Sequence, residues 1–133
     1  MTIDKLEDYY AIASTIEAIE RELETTYSNV RSPNGHEGGG STTPGNPTEA
    51  AAMRAIVLKE KVIQERERLY DLAEEIEDWL PTVDDLEVVS IIRWHYLLRL
   101  NWKQTNMKVY GYPDYSYSRK KIARYFEKKN NLS

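Results

Sequence analysis

Cysteine is absent from this 133-residue chain, which excludes disulfide bonds and thiolate metal sites. Apolar runs are short, and stretches such as Val88–Ile92 fall far below the ~20 residues that span a bilayer. The first residues, Met1–Asp4, lack the basic region and apolar core of a signal peptide. We therefore expect a cytoplasmic protein without a membrane partner.

Glycine and proline are few and are concentrated in one segment. Residues 31–48 hold five of the six glycines and three of the five prolines. Five serines or threonines complete the segment, which has nothing to bury. We therefore predict a mobile loop over residues 31–48.

Residues with catalytic or metal-binding chemistry are also scarce. The two histidines are His36, in the predicted loop, and His95, so a two-histidine metal site is not credible. The acids between residues 74 and 78 have no histidine beside them, which favours a solvated acidic face. No nucleophile–base pair or phosphate-binding loop is present. We predict no enzyme, no catalytic residue, no cofactor and no metal.

The segment from Ile3 to about Val30 has helical spacing. Its apolar residues fall at Tyr9, Ile12, Ile16, Ile19, Leu23 and Val30. This is the a/d pattern of a coiled coil or of a helical hairpin. Self-association through residues 3–80 is predicted from this seam, although paired helices within one chain would satisfy it equally well.

A second helix is predicted to follow Thr48 as its N-cap and to end at Leu80-Pro81. Its apolar residues recur in pairs every seven positions, at Ala55/Ile56, Val62/Ile63 and Leu69/Tyr70, with Ile76 continuing the series. This stripe is wide enough to pack on the first helix and to reach a second subunit. We expect residues 1–80 to form an acidic helical hairpin or coiled coil, giving a homodimer or higher homo-oligomer or binding a partner.

Charge divides the chain into two parts. From Ile91 to Ser133 there are ten Lys/Arg and two acids, a net charge of +8. The eight basic and twenty acidic residues before Ile91 give a net charge of −12. Such an asymmetry suggests two tasks, and the basic part suggests a polyanionic partner.

Residues 81–133 predict a second domain of three helices. Thr82 and Asp85 resemble a capping box that opens an almost wholly apolar helix. His95 on this helix is interpreted as a packed, hydrogen-bonded core residue. Asn101 is predicted to cap a short helix that Gly111 ends.

Ser118 is predicted to cap the final helix, which runs from Arg119 to about Lys129. Its inward residues are expected to be Ile122, Tyr125 and Phe126, with Lys120, Arg124 and Lys128 on the opposite side. The order of long helix, short helix, turn and basic helix is that of a helix-turn-helix, whose second helix enters the major groove. The sequence predicts an all-α fold that binds double-stranded DNA; a three-helix unit with a merely basic surface is the alternative.

Residues 86–129 resemble region four of sigma factors of the sigma-70 type. The matching stretches are Arg93-Trp94-His95-Tyr96, Leu100-Asn101-Trp102 and Ser118-Arg119-Lys120-Lys121-Ile122. The whole layout is similar to small phage regulators of the RinA/ArpU type. This resemblance implies a phage or prophage transcriptional regulator, acting in a bacterial host cell, that activates late genes. Promoter DNA would be its partner, and host RNA polymerase a second one.

The chain departs from that family's pattern in two places. Residues 113–117 intervene between Tyr112 and Ser118, so Ser116 is an alternative cap that moves the helix start by two residues. Thr105 and Asn106 occupy positions where the pattern favours an apolar residue and alanine, which argues against tight packing of the short helix.

The predicted DNA-binding residues are Tyr115, Tyr117, Ser118, Arg119, Lys120, Lys121, Arg124 and Lys128. Arg124 is the candidate for a bidentate contact to guanine, because its planar fork matches that acceptor pair. Arg119, Lys128 and the two tyrosine hydroxyls would hold the phosphate backbone.

Two other functions compete with this interpretation. One is a small terminase subunit that recognises phage DNA for packaging, although such subunits usually carry their DNA-binding unit at the N-terminus. The other is a helical interaction protein that inhibits a host factor without binding DNA.

Overall fold

The computed structural model describes the backbone of residues 1–31 and 46–132 and the side chains of residues 1–26 and 49–130. Across these ranges the fold is all-α, as predicted, with no strand. The five α-helices are α1 (Ile3–Arg31), α2 (Asn46–Trp79), α3 (Leu86–Ile91), α4 (Trp102–Tyr110) and α5 (Tyr117–Leu132). A 3₁₀ turn, Leu80–Thr82, follows α2, and a π-helical turn, Ile92–Leu97, continues α3.

Membrane crossing needs a long apolar helix. None of the helices in the described part of the chain meets that requirement.

The chain divides into two compact units, and the long helices α1 and α2 contribute to both. Unit one contains Met1–Ile12 and Leu69–Ser133, and unit two contains Ala13–Arg68. This division differs from the predicted boundary between residues 80 and 81. The reason is that Leu6 and Ile76, from the start of α1 and the end of α2, lie fully buried in the same core as Val88 and Ile122.

The core of unit one is built mainly from α3, its π-helical continuation and α5. Its buried members are Leu6, Ile76, Leu80, Val83, Val88, Ile91, Ile92, Tyr96, Ile122 and Phe126. The predicted inward residues of α5 are confirmed, because Ile122 and Phe126 are buried and Tyr125 is half-buried. The predicted third helix is interrupted, since the i−5 hydrogen bond from Leu98 N to Arg93 O (2.8 Å) belongs to the π-helical turn.

His95 lies in this π-helical turn and is buried. Its ring stacks on Trp102, with centroids 3.5 Å apart, and on Tyr10, with centroids 4.9 Å apart. The ring Nδ1 donates to the carbonyl oxygen of Leu100 at 2.7 Å. The interpretation of His95 as a packed, hydrogen-bonded core residue is therefore confirmed.

Unit two is held by apolar contacts and ion pairs between α1 and α2. The buried side chains include Ile16 from α1 and Leu58 and Val62 from α2. Glu22 pairs with Arg54, at 2.9 Å from carboxylate oxygen to guanidinium nitrogen, and Glu20 pairs with Arg66. Every described apolar position of the α1 seam, from Tyr9 to Leu23, is buried or half-buried.

Several predicted helix ends can be compared with the observed ones. Helix α2 begins at Asn46, so the prediction of Thr48 as its N-cap is wrong. Thr82 does not cap α3: its hydroxyl donates to Trp79 O at 2.7 Å, and Asp85 alone accepts from the first backbone N–H groups of α3. Short polar side chains make this alternative local bond readily.

The predicted ends of the short helix α4 are confirmed. Asn101 and Gln104 form a reciprocal capping box, with each side chain accepting from the other residue's backbone N–H. Gly111 ends the helix in the left-handed conformation, at φ 86°. The prediction of a mobile loop over 31–48 concerns mainly residues 32–45, which lie outside the described residues.

Candidate nucleic-acid interface

Helix α5 begins two residues earlier than a Ser118 cap predicts. Its first residue is Tyr117, and the Lys120 N–H donates to the Ser116 carbonyl at 2.9 Å. The Asp114 carboxylate accepts from the backbone N–H groups of Ser116 and Tyr117, both at 2.8 Å. These two hydrogen bonds are the leading cause of the lowered pKa of Asp114. The alternative register from Ser116 is therefore the observed one.

Ser118 lies inside α5 with no exposed surface. Its hydroxyl donates to Oδ1 of Asn106 in α4 at 2.6 Å. A side chain committed in this way cannot reach DNA, so the prediction of Ser118 as a DNA-binding residue is wrong. The cause is the shift of register, which turns residue 118 towards the core.

The polar pair Thr105 and Asn106 packs tightly, contrary to the expectation drawn from the family pattern. Both side chains are fully buried. The amide nitrogen of Asn106 donates to the carbonyl oxygen of Tyr112 at 2.8 Å. Asn106 therefore joins α4 both to the turn and, through Ser118, to α5. Buried polar groups with hydrogen-bond partners avoid the cost of desolvation.

Five of the predicted DNA-binding residues come together on one side of α5. A cavity of about 290 Å³ is lined by Tyr117, Lys120, Lys121, Arg124 and Lys128, together with Asp85, Val88 and Tyr125. Lys120, Arg124 and Lys128 are exposed, as predicted for the outer side of the helix. The structure thus collects four cations and two tyrosine side chains at a single surface.

Lys121 differs from its three neighbours because it is used within the fold. Its ammonium group lies 3.4 Å from a carboxylate oxygen of Asp85 and 3.9 Å from one of Glu87. Burial by itself raises the pKa of Asp85, but backbone hydrogen bonds from Val88 and Glu87 and the Lys121 charge outweigh it, so the pKa is lowered. Lys121 consequently ties α5 to the start of α3.

The other two predicted residues lie elsewhere on unit one. Arg119 lines a cavity of about 510 Å³ with Glu7, Tyr10, Trp102 and five further residues. Tyr115 lines a third cavity, where the ammonium group of Lys103 lies 5.6 Å from its ring centroid. The structure therefore does not place Arg119 or Tyr115 in the cavity that holds Arg124.

Sequence reasoning missed Asp85 as a member of the basic cavity. Its carboxylate both caps α3 and faces Lys121. The sequence indicates that Asp85 can cap a helix. It does not indicate that Asp85 lies close to α5. The part of the chain that the structure describes contains no group of three or more His, Cys, Asp or Glu able to hold a metal.

No family model, curated protein or solved structure matches the chain.

Proposed function

We propose that this chain binds double-stranded DNA through α5 and regulates transcription, as a phage or prophage regulator. One observation carries the proposal: the exposed side chains of Lys120, Arg124 and Lys128 line a single cavity along α5. Cations grouped in this way neutralise neighbouring phosphates and release their counterions, which supplies much of the affinity of DNA-binding proteins.

The availability of these charges supports the proposal. Among the residues that the structure describes, the ion pairs at this cavity involve Lys121, and no carboxylate lies within ion-pair distance of Arg124 or Lys128. A cation that has no internal partner can bind an external anion without first breaking a contact. Lys121 is expected to contribute less, because Asp85 already neutralises part of its charge.

The positions along α5 suit a helix that approaches DNA by its N-terminal part. Counted from Tyr117, Lys120 lies in the first turn, Arg124 in the second and Lys128 at the start of the fourth. Recognition helices contact base edges through such early residues. Arg124 is proposed as the base contact, because guanidinium matches the O6 and N7 acceptors of guanine. Lys120, Lys128 and the Tyr117 hydroxyl are proposed to hold phosphates.

The regulatory part of the proposal rests on the resemblance to region four of sigma factors and to regulators of the RinA/ArpU type. It implies that promoter DNA is the target, that late genes are activated, and that host RNA polymerase is a second partner in the cytoplasm of the bacterial host. The acidic helices of residues 3–80 are the proposed surface for oligomerisation or for the polymerase.

The test is a titration of a labelled mixed-sequence duplex with the full chain, repeated over a range of salt concentrations. The two phosphate contacts of Lys120 and Lys128 predict that log K falls with log salt at a slope of about −1.8. Arg124→Ala should weaken binding, whereas Arg21→Ala, which removes the same charge from an exposed position of α1, should not. Equal effects of the two substitutions would show that only net charge matters.

A further inference from the structure

The cavity of about 510 Å³ that contains Arg119 shares no residue with the basic cavity of α5. It lies within unit one, where α1, the π-helical turn, the start of α4 and α5 all contribute side chains to it. Its volume falls in the range of roughly 300–1,000 Å³ that is usual for sites of small molecules. We call it the α1–α5 cavity.

The walls of the α1–α5 cavity are mainly aromatic. Four rings line it, those of Tyr10, His95, Tyr96 and Trp102. Contacts among the rings hold them in place, because the ring of His95 stacks on those of Tyr10 and Trp102. The ring of Tyr96 meets those of Tyr10 and Trp102 edge to face, with centroids 6.5 Å and 5.9 Å apart. Such a preformed aromatic surface favours the aromatic part of a ligand.

Two charged side chains line the same cavity from different helices. Glu7 lies on α1 and Arg119 on α5, and both are exposed. In the part of the chain that the structure describes, neither forms an ion pair, with the other or with a third residue. Each charge can therefore bind an opposite charge on a ligand without first breaking an ion pair within the fold.

Two further titratable groups of the cavity are neutral at neutral pH. Burial lowers the pKa of His95 to about 4, against the opposing effect of the hydrogen bond to Leu100, so the imidazole is uncharged. Burial, and then the negative charge of Glu7, raises the pKa of Tyr96, so its hydroxyl keeps its proton. The charges of the cavity are thus one carboxylate and one guanidinium, and a complementary ligand carries one charge of each sign.

We infer that the α1–α5 cavity binds a small zwitterion with an aromatic side chain, of the class of the aromatic amino acids. The ammonium group of the ligand binds the Glu7 carboxylate. The ligand's carboxylate accepts from Arg119, whose planar guanidinium can donate two parallel hydrogen bonds to it. The ligand's aromatic side chain packs against the rings of the walls. This site does not depend on the DNA-binding proposal, since none of its residues lines the basic cavity.

Ligands with a single charge fit the cavity less well. An amine without a carboxylate would add a second cation beside Arg119 and leave the guanidinium without a partner. A carboxylic acid without an amine would do the same beside Glu7. Like charges at short range repel each other, and the repulsion is stronger next to aromatic walls than in open water.

The first test is isothermal titration calorimetry of the full chain with L-tryptophan as the probe. L-tryptophan is expected to bind once per chain. Tryptamine, which lacks the carboxylate, and indolepropionate, which lacks the ammonium group, should each bind about tenfold more weakly or worse. L-alanine, which keeps both charges and lacks the ring, should also bind more weakly.

Three outcomes of the titrations would overturn the proposed site. The first is the absence of binding of L-tryptophan up to millimolar concentration. The second is equal affinity for L-tryptophan and either single-charge analogue, because the two charges would then not select the ligand. The third is equal affinity for L-tryptophan and L-alanine, because the aromatic walls would then contribute nothing.

The second test assigns each charge of the ligand to its partner. Glu7→Gln should weaken the binding of L-tryptophan about tenfold without weakening that of indolepropionate, which has no ammonium group to lose. Arg119→Gln should weaken L-tryptophan without weakening tryptamine. Glu74→Gln, the same change at an exposed position of α2 outside the cavity, should leave every affinity unchanged.

The variants are first compared with the wild type by circular dichroism. Glu7 and Arg119 are exposed, so both variants should keep their helices. If Glu7→Gln affects L-tryptophan no more than Glu74→Gln does, Glu7 does not bind the ammonium group and the site is not the one proposed. If Arg119→Gln weakens tryptamine as much as L-tryptophan, Arg119 does not bind the carboxylate, which equally overturns the proposal.

Discussion

Ser118 of α5 donates a 2.6 Å hydrogen bond to the amide oxygen of Asn106 in α4, and neither side chain has exposed surface. Asn106 also donates through its amide nitrogen to the carbonyl oxygen of Tyr112 in the turn. One asparagine therefore fixes the short helix, the turn and the basic helix relative to one another. This contact orients α5 so that Lys120 and Arg124 face outward.

Removal of one partner of this buried hydrogen bond is expected to destabilise the fold. Ser118→Ala leaves the Asn106 amide oxygen buried without its donor, which should lower the free energy of unfolding by about 1–3 kcal/mol. The measurement is urea unfolding of Ser118→Ala, Asn106→Ala and the double variant. The double variant should lose less than the sum of the two single losses.

Strict additivity of the two losses would contradict this account of the pair. So would a Ser118→Ala variant of unchanged stability that binds duplex DNA more weakly, because that result would return Ser118 to the DNA-binding residues.

Gly111 offers a test of backbone conformation without a steric complication. Its φ of 86° is in the left-handed region, and a Cβ there would meet no atom within 4 Å. Gly111→Ala should therefore cost about 1–2 kcal/mol through backbone strain alone. Gly111→Asn should cost less, since asparagine also occurs in this role at helix ends. Thermal unfolding measures the loss of stability in both variants. Equal losses would mean that side-chain contacts, and not the backbone conformation, decide the cost of the substitution.

His95 predicts a dependence of stability on pH. Burial lowers its pKa to about 4, against the opposing effect of the hydrogen bond to Leu100, from an ordinary value of 6.5. Between pH 4 and pH 6.5, His95 therefore binds a proton in the unfolded chain but not in the folded chain. The stabilisation is complete above pH 6.5 and decreases by about 3 kcal/mol as the pH falls to 4.

The measurement for His95 is urea unfolding at a series of pH values. His95→Asn, which keeps a donor near the position of Nδ1, should flatten the dependence between pH 6.5 and 5. His36→Gln, which removes the other histidine, serves as the control and should keep the dependence. If the free energy of unfolding of His95→Asn depends on pH as steeply as that of the wild type, His95 is not the cause of the dependence.

Local signals in the sequence predicted the short helix well. Asn101, Gln104 and Gly111 act through bonds to residues three or four positions away, so their pattern alone defines where α4 begins and ends. The sequence leaves the start of α5 ambiguous, because Ser116 and Ser118 are both competent caps. The deciding group is Asp114, whose carboxylate holds the backbone of Ser116 and Tyr117.

Contacts between distant segments were not predictable in the same way. The ion pair of Lys121 with Asp85 joins residues 36 positions apart in the sequence, and no local pattern specifies it. The division into units also depends on such contacts, since Leu6 and Ile76 reach the core of unit one. Helical periodicity alone predicts which side of α5 faces outward, so the sequence correctly places Lys120, Arg124 and Lys128 on the exposed side.

Arg124 and Lys128 are expected to behave differently on a preferred DNA site. The site is first selected from random duplexes with the full chain. Arg124→Ala should then cost about 1–3 kcal/mol on that site and relax the preference at one base pair. Lys128→Ala should weaken the selected and a scrambled duplex alike. If Arg124→Ala weakens both duplexes by the same factor, Arg124 holds a phosphate and does not read a base.

The salt dependence of duplex binding by the triple variant Lys120→Ala, Arg124→Ala, Lys128→Ala tests DNA binding through α5 most directly. These side chains are exposed, so the variant should fold like the wild type, as circular dichroism can verify. DNA binding through α5 predicts that the wild-type slope of about −1.8 falls close to zero and that binding is nearly lost. A triple variant that binds with the wild-type affinity and slope would contradict it.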